Sequence, residues 1–325
     1  QERGDLLQDS TGRWVEGPAL DWHMLPARVE AVIAQRVGRL PQSLRAALLA
    51  ASVEGELFTA EVVARLQGVE ERKMVEQLSR ELDKRHRLVH SQSILRMDGR
   101  LLSRYRFRHS QIQKYLYGLL DEVERVYLHE QVGTALEELY GSEEQKSAIA
   151  VQLARHFQEA GIAKKAIHYL HQAGNKAVQL SAYPEARAHL TRALALLEAL
   201  PDAATPKERL QRAEQELALQ LSLGVACWGT YDTHPEAAQA FDRARELSQQ
   251  MGKTSQLCTS LTSLAISRYV GAEYRNAHTL GQKALKLAQK LRDPVLLVES
   301  HWGLGCILFA LGDYAAAHVL SLIHI

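Results

Sequence analysis

The sequence predicts a mainly α chain with one small β insertion and a series of repeated helix pairs, and three observations carry that prediction. Aromatics are only 6% of 325 residues, with Gly 20 and Pro 8, so the 46% apolar fraction is mostly Ala and Leu, which suit closely packed helices. Apolar positions recur at helical spacing along most of the chain, and the period falls to two only between His86 and His109. From Gly224 onward the pattern returns every 40 residues, as in stacked repeats. This length allows two or three domains of roughly 100–200 residues. A charged fraction of 24% excludes disordered and collagen-like classes.

Residues 1–25 lack clear periodicity and read as an irregular lead-in from an upstream domain. Pro26 then opens an apolar-periodic run to Leu40, at the helix position where a missing N–H is harmless. Three more helices are expected at 41–52, 59–67 and 70–84. Thr59 is the expected N-cap of the middle one, with Val62, Val63 and Leu66 facing inward. After His86 the alternating stretches RLVHS, SILRM and SRYRFRH follow, with Asp98-Gly99 as the turn between the last two. Helices closed by a hairpin make 26–109 a winged-helix-like domain with a small β-wing, a fold shared by nucleic-acid binders and proteins that bind none. From Ser110 the pattern is helical through Tyr140 and stops at Gly141, and Ser142 with Glu143 and Glu144 opens the next helix; 110–144 read as connecting helices.

In the repeats, Gly224, Leu264 and Leu304 are equivalent first-helix positions, and Ala237, Ala277 and Ala317 begin second helices. Ala244 and Leu247 recur as Ala284 and Leu287. An earlier unit, QAGNKAVQLSAYPEARAHLTRALALLEAL, shares the pattern but is offset by the linker from Pro201 to Pro206, and 145–162 form its helical approach. Tyr183, Tyr274 and Tyr314 open second helices, and small residues sit where helices meet. These features predict a tetratricopeptide-like α-solenoid over 145–320, with a concave surface of first helices suited to a peptide or another domain. The last unit is expected to stop at Ala317. The ending LSLIHI resembles translated sequencing-adapter read-through, so 321–325 are expected to be a non-native tail and a capping repeat to be missing.

Charge is nearly balanced, 39 minus 38 giving +1, so the whole molecule has no electrostatic pull toward nucleic acid or an anionic membrane. Cys227, Cys258 and Cys306 are odd in number, far apart and form no CxxC pair, which fits free thiols in a reducing, cytoplasmic compartment. The start has no secretory pattern, and the apolar stretch 295–311 is broken by Glu299 and His301, so no membrane segment is expected. There is no GxxxxGK[ST], GxSxG or HExxH, and Gly303-Leu304-Gly305 lies inside a helical pattern. The chain is therefore expected not to be an enzyme by itself and to hold neither cofactor nor metal. His168 with His171 and His86 with His90 read as polar-face histidines, since zinc would need further ligands.

One local patch stands out. Lys84, Arg85, Arg87, Arg96, Arg100, Arg104, Arg106 and Arg108 face only Asp98 in the same stretch, eight minus one giving +7. Three readings apply: contact with DNA phosphates, a solvated wing whose arginines pair with acids elsewhere, or contact with the phosphates of a nucleotide held by a neighbouring domain.

At YRFRHSQIQKYLY (105–117), preceded by LPARVEAVIAQRVGRLP and ASVEGELFTAEVVARLQG, the chain resembles the region after the nucleotide-binding domain of bacterial signal-transduction ATPases with numerous domains (STAND). DEVERVYLHEQVGTALEELYG, AVQLARHFQEAGIAKKAIHYLHQAGNKAV and PEARAHLTRALALLEALPD continue in the same order, so the resemblance covers about 1–320. It implies an AAA-like ATPase domain upstream in cis, with ATP or ADP and Mg, and an effector such as a class III nucleotide cyclase, a kinase or a DNA-binding regulator. None of the family's catalytic motifs lies in these residues. The resemblance also implies that His109, at the end of the winged helix, contacts the β-phosphate of ADP in the closed state. Such a contact would give nucleotide a differential hold on two conformations. The alternative is that His109 caps the helix beginning at Ser110 or satisfies a wing carbonyl, while Phe107, Ile112 and Leu116 are core.

Overall fold

A computed structural model describes residues 6–8, 14–16, 27–97, 99–229 and 234–322. Pro26, Asp98 and residues 323–325, each given a role above, lie outside the described residues. The chain is mainly α and divides into two compact units, Gln1–Gly141 and Ser142–Ile325.

The lead-in is not wholly irregular: β1 (Leu6–Gln8) and β2 (Trp14–Glu16) pair antiparallel with Leu7 opposite Val15. Helices α1 (Ala27–Gly38), α2 (Gln42–Glu54) and α3 (Ala60–Gln67) then follow close to expectation. Two features differ from the sequence reading. Leu57–Thr59 forms a short strand, β3, before α3. Thr59 also occupies the N-cap position without capping: its N–H and hydroxyl both donate to the Glu54 carboxylate, at 2.9 and 2.8 Å. Thr59 and Glu54 are both buried, and a buried carboxylate keeps its place only when its oxygens accept hydrogen bonds. That demand takes the hydroxyl away from the helix end.

The next helix begins as α4 (Glu71–Glu76) and continues through Gln77–Arg85 as a π-helix, closed by a 2.8 Å bond from His86 N–H to the Glu81 carbonyl. Beyond it, β4 (Val89–Met97) and β5 (Arg100–Phe107) make the wing, and the sheet order is β3-β5-β4. RLVHS and SILRM therefore belong to one strand. A bulge between Ser91 and Ser93 breaks their alternation, because one extra residue shifts the side-chain phase. The core gathers Leu44, Leu48, Phe58, Met74, Leu78, Leu82, Phe107, Ile112 and Leu116, with Phe58 and Phe107 rings 5.1 Å apart. The first unit thus combines these helices with a small three-stranded antiparallel sheet.

The helical stretch after Ser110 is two helices, α5 (Ser110–Gly118) and α6 (Glu122–Leu139). Asp121 divides them with a capping box: its carboxylate accepts from Glu124 N–H at 2.8 Å, and Glu124 accepts from Asp121 N–H at 3.1 Å. Both helices belong to the first unit, tied there by Gln113 to the Ser52 carbonyl at 2.7 Å and Arg65 to Glu138 at 2.7 Å.

The second unit is a series of antiparallel helices: α7 (Glu143–Ala148), α8 (Ala150–Glu159), α9 (Ala163–Gln179), α10 (Tyr183–Glu198), α11 (Pro206–Trp228), α12 (His234–Gln250), α13 (Thr254–Val270), α14 (Tyr274–Leu291), α15 (Pro294–Ala310) and α16 (Tyr314–Leu322). Its spacing comes from the turns. Gly161, Ser181, Gly252, Ala272, Arg292 and Gly312 all have positive φ, and in each run they are 20 residues apart, half the repeat. Most close with the same pair of bonds; Ala272 N–H donates to Tyr269 O at 3.0 Å and Glu273 N–H to Arg268 O at 2.8 Å. Helix α16 runs through Leu322 rather than stopping at Ala317, since nothing in HVLSL breaks a helix.

Packing between helices alternates large with small. Gly224 stands where its equivalents are Leu264 and Leu304, and a Cβ there would run into the Phe241 ring. Phe241 in turn stands where the next repeat has Gly281, against which Leu304 packs. Ala237, Ala244, Ala277 and Ala284 are fully buried, as the repeat pattern requires.

Two substitutions test this geometry. Gly224→Leu makes the repeat match its successors in sequence, yet it overpacks against Phe241 and lowers stability by about 1–3 kcal/mol in urea titration. Ala272→Gly relieves a left-handed turn and raises stability by about 0.5–1 kcal/mol, the steric gain less glycine's extra unfolded-state freedom.

Candidate functional site

The basic stretch is only partly available. Arg85 pairs with Glu81 at 3.0 Å, and Arg108 reaches Asp83 at 2.7 Å while donating to the Val89 carbonyl at 3.1 Å. Arg104 donates to Tyr140 Oη at 3.2 Å. The helix before the wing carries its own acids, with Arg80 on Glu76 at 2.7 Å as well. Lys84, Arg87, Arg96, Arg100 and Arg106 are exposed and have no ion pair among the described residues. Arg87 has φ 51°, and its carbonyl and that of His86 accept from Arg36 at 3.3 and 2.7 Å, which holds this turn.

His109 is exposed at the N-cap of α5 with extended backbone, and its side chain makes no cap bond. The imidazole is thus not engaged in capping, the alternative weighed from the sequence. Phe107, Ile112 and Leu116 are core. His168 bonds Gln172 at 3.0 Å and His171 bonds Ser222 Oγ at 3.1 Å; among the described residues no three His, Cys, Asp or Glu side chains are placed to hold a metal.

A groove of about 670 Å³ lies between first helices α9 and α11 and the linker joining α10 to α11. Its floor and walls include Lys164, Ile167, His168, His171, Gln211, Arg212 and Gln215. Several of its charged groups are already engaged. Arg212 donates to the carbonyls of Leu197, Glu198, Leu200 and Pro201 at 2.6–3.3 Å, satisfying the end of α10. Glu208 accepts from Ala204 and Thr205 N–H in the capping box that starts α11, and Glu214 pairs with Lys253 at 2.8 Å. Lys164, exposed and without an ion pair among the described residues, and the Gln211 and Gln215 amides are left to meet a ligand. Burial pushes the His171 imidazole below its usual range, with His168 nearby adding to the effect. A neutral His171 bonded to Ser222 ties α9 to α11 under the groove. The arrangement offers hydrogen-bond donors and an apolar floor, which suits an extended polar peptide.

Sequence reasoning did not single out this groove. The capping box Thr205-x-x-Glu208 behind Pro201 and Pro206 was the available sign that α11 begins early and projects beyond its neighbours.

The sequence matches no protein-family model and no curated protein. Among solved structures it is similar to the apo form of RapI, at 14% identity over 62% of this chain and 53% of that chain, TM-score 0.46. It is also similar to a signal transduction ATPase with numerous domains with a tetratricopeptide repeat sensor from Pyrococcus horikoshii, at 13% identity, 90% and 51% coverage, TM-score 0.39. Aspartyl phosphate phosphatase F from Bacillus subtilis follows at 12% identity, 90% and 67% coverage, TM-score 0.39. The chain spans about half the length of the first two. The helix packing described above makes the second unit a tetratricopeptide-like repeat domain, an architecture for protein interaction. Among the described residues no helix is long and apolar enough to cross a membrane.

The histidine geometry sets a pH dependence. A base whose folded pKa lies below its unfolded value binds fewer protons when folded, so stability is full above the unfolded pKa of about 6.5 and falls as pH drops below it. Urea midpoints should therefore fall between pH 6.5 and 5, above the carboxylate range, and His171→Gln should flatten part of that slope.

Proposed function

We propose that the chain is the regulatory and protein-interaction part of a multidomain signal-transduction ATPase. The repeats bind a protein or peptide partner, and the winged helix relays that occupancy to a nucleotide-binding domain in cis. The observation that carries this reading is the open groove between first helices α9 and α11, with Lys164 and two glutamine amides presented over an apolar floor. Support for the relay is the exposed His109 imidazole at the head of α5, available to a phosphate on an adjoining domain. ATP or ADP with Mg would bind that other domain, and this chain would perform no catalysis itself. A cytoplasmic setting agrees with Cys227, Cys258 and Cys306, which form no disulfide among the described residues.

A second reading, a DNA-binding regulator, draws on exposed Arg96, Arg100 and Arg106. The pairing of Arg80, Arg85 and Arg108 with acids weighs against it. Five available cations would give a log affinity against log salt slope of roughly −4.5.

One titration separates the readings. The partner-binding account expects peptide binding that weakens about tenfold with Lys164→Glu. It also expects no response to ADP or ATP without the ATPase domain, and no duplex binding with that slope. Steeply salt-dependent duplex binding, lost when Arg96, Arg100 and Arg106 are reversed to Glu, would establish the regulator reading instead.

A further inference from the structure

Strand β4 is an edge of its sheet: the order is β3-β5-β4, and among the described residues no strand pairs with its outer side. Edge strands ordinarily escape further pairing by being very short, or by carrying proline, inward-pointing charge or a bulge. Here β4 has nine residues and no proline. Its bulge lies at Ser91–Ser93, so Ser93 to Met97 stay in regular register with Arg104 to Arg100. That run is long enough for a further strand, and its alternate residues turn N–H and C=O outward. Both elements flanking β4 in sequence, the Gln77–Arg85 helix and β5, are in place. One face of the run is apolar and cationic together. Ile94 and Arg96 share it, opposite Ser103 and Leu101. Ile94 and Leu101, diagonal neighbours there, are 67% and 54% exposed. Arg96 and, at the far end of the hairpin, Arg100 are exposed with no ion pair among the described residues.

We propose that the Ser93–Met97 edge receives an extended acidic segment of a partner protein as the fourth strand of this sheet. The site is separate from the α9–α11 groove and belongs to the first unit. The edge itself specifies a strand, because only extended backbone matches its alternating donors and acceptors. Charge specifies an acidic one: the added strand sets Val or Ile beside Ile94 and, two residues away on the same face, Asp or Glu beside Arg96. Arg100 adds to the attraction. Duplex DNA fits this edge less well, since phosphates only accept hydrogen bonds and would leave the outward carbonyls of β4 unpaired, with Ile94 and Leu101 still exposed. A second copy of the chain fits less well too, because its own β4 brings no Asp or Glu to Arg96.

The test uses the full chain and a fluorescein-labelled peptide, Thr-Glu-Thr-Val-Thr-Glu-Thr-Val-Thr, which carries Glu and Val on one face when extended. Anisotropy should show saturable binding, at least about tenfold weaker with Arg96→Glu and with a peptide whose Glu residues are Lys. The same peptide N-methylated along both edges keeps its side chains but cannot pair, and it should lose binding. Lys164→Glu should leave binding unchanged, which separates this site from the α9–α11 groove. Arg96 is exposed, circular dichroism of the variant checks that the fold is kept, and the two altered peptides test the unmodified chain. No saturation, equal affinity for the Lys peptide or the Arg96→Glu chain, or binding retained after N-methylation would overturn the proposal. Duplex DNA that displaces the peptide with a steep salt dependence would overturn it by making nucleic acid the occupant. Sedimentation showing self-association that Ile94→Lys abolishes would do so by making the occupant a second copy.

Discussion

No helix pair in the second unit can bury its own apolar face, and that constraint organises the molecule. Each first helix must be set into the groove of the pair before it, so side-chain size has to be matched across neighbours rather than within a repeat. The Gly224–Phe241 contact and the Gly281–Leu304 contact solve the same problem with the large and small partners exchanged. A close match of this kind leaves little room for substitution inside the stack. A groove opens where the regular seating is interrupted, at the linker before α11.

The turns make the matching possible. Within each run a left-handed residue every 20 positions ends one helix and, in most of these turns, starts the next with the same bonds, so successive helices present their faces in constant phase. Glycine takes that position at Gly161, Gly252 and Gly312, whereas Ser181, Ala272 and Arg292 hold it under strain that the packing on both sides sustains. In the first unit a different device fixes geometry: Glu54 and Glu61 are buried carboxylates bonded to Thr59 and to Ser103 N–H, and they lock the strands of the wing to α2 and α3. Burial pushes the Glu61 carboxyl above its usual range.

Much of this was legible in the sequence because it is periodic. The 40-residue repeat, the opening tyrosines Tyr183, Tyr274 and Tyr314, and the order of helices and strands in the first unit all follow from spacing alone. What was missed depends on single residues or distant partners. Three residues of β3 are too few for a period, and one extra residue at the Ser91–Ser93 bulge makes a single strand look like two. Thr59 was a sound N-cap by local rules, and only a carboxylate five residues away redirected it. The charge of the basic stretch and its pairing with acids were readable as one of three possibilities, but the partners Glu81 and Asp83 on the preceding helix were not. The α9–α11 groove joins residues some forty positions apart, and no local pattern marks it.

The central claim is that the second unit is held together by nearest neighbours, each pair covered by the next. Native-state amide hydrogen exchange of the full chain tests it most directly. The account predicts strong protection in α13 and α14, covered on both sides, falling through α15 to the least in α16, with the first unit exchanging as a separate cooperative body. Uniform protection from α11 to α16 would contradict it, because the stack would then open as one unit rather than pair by pair.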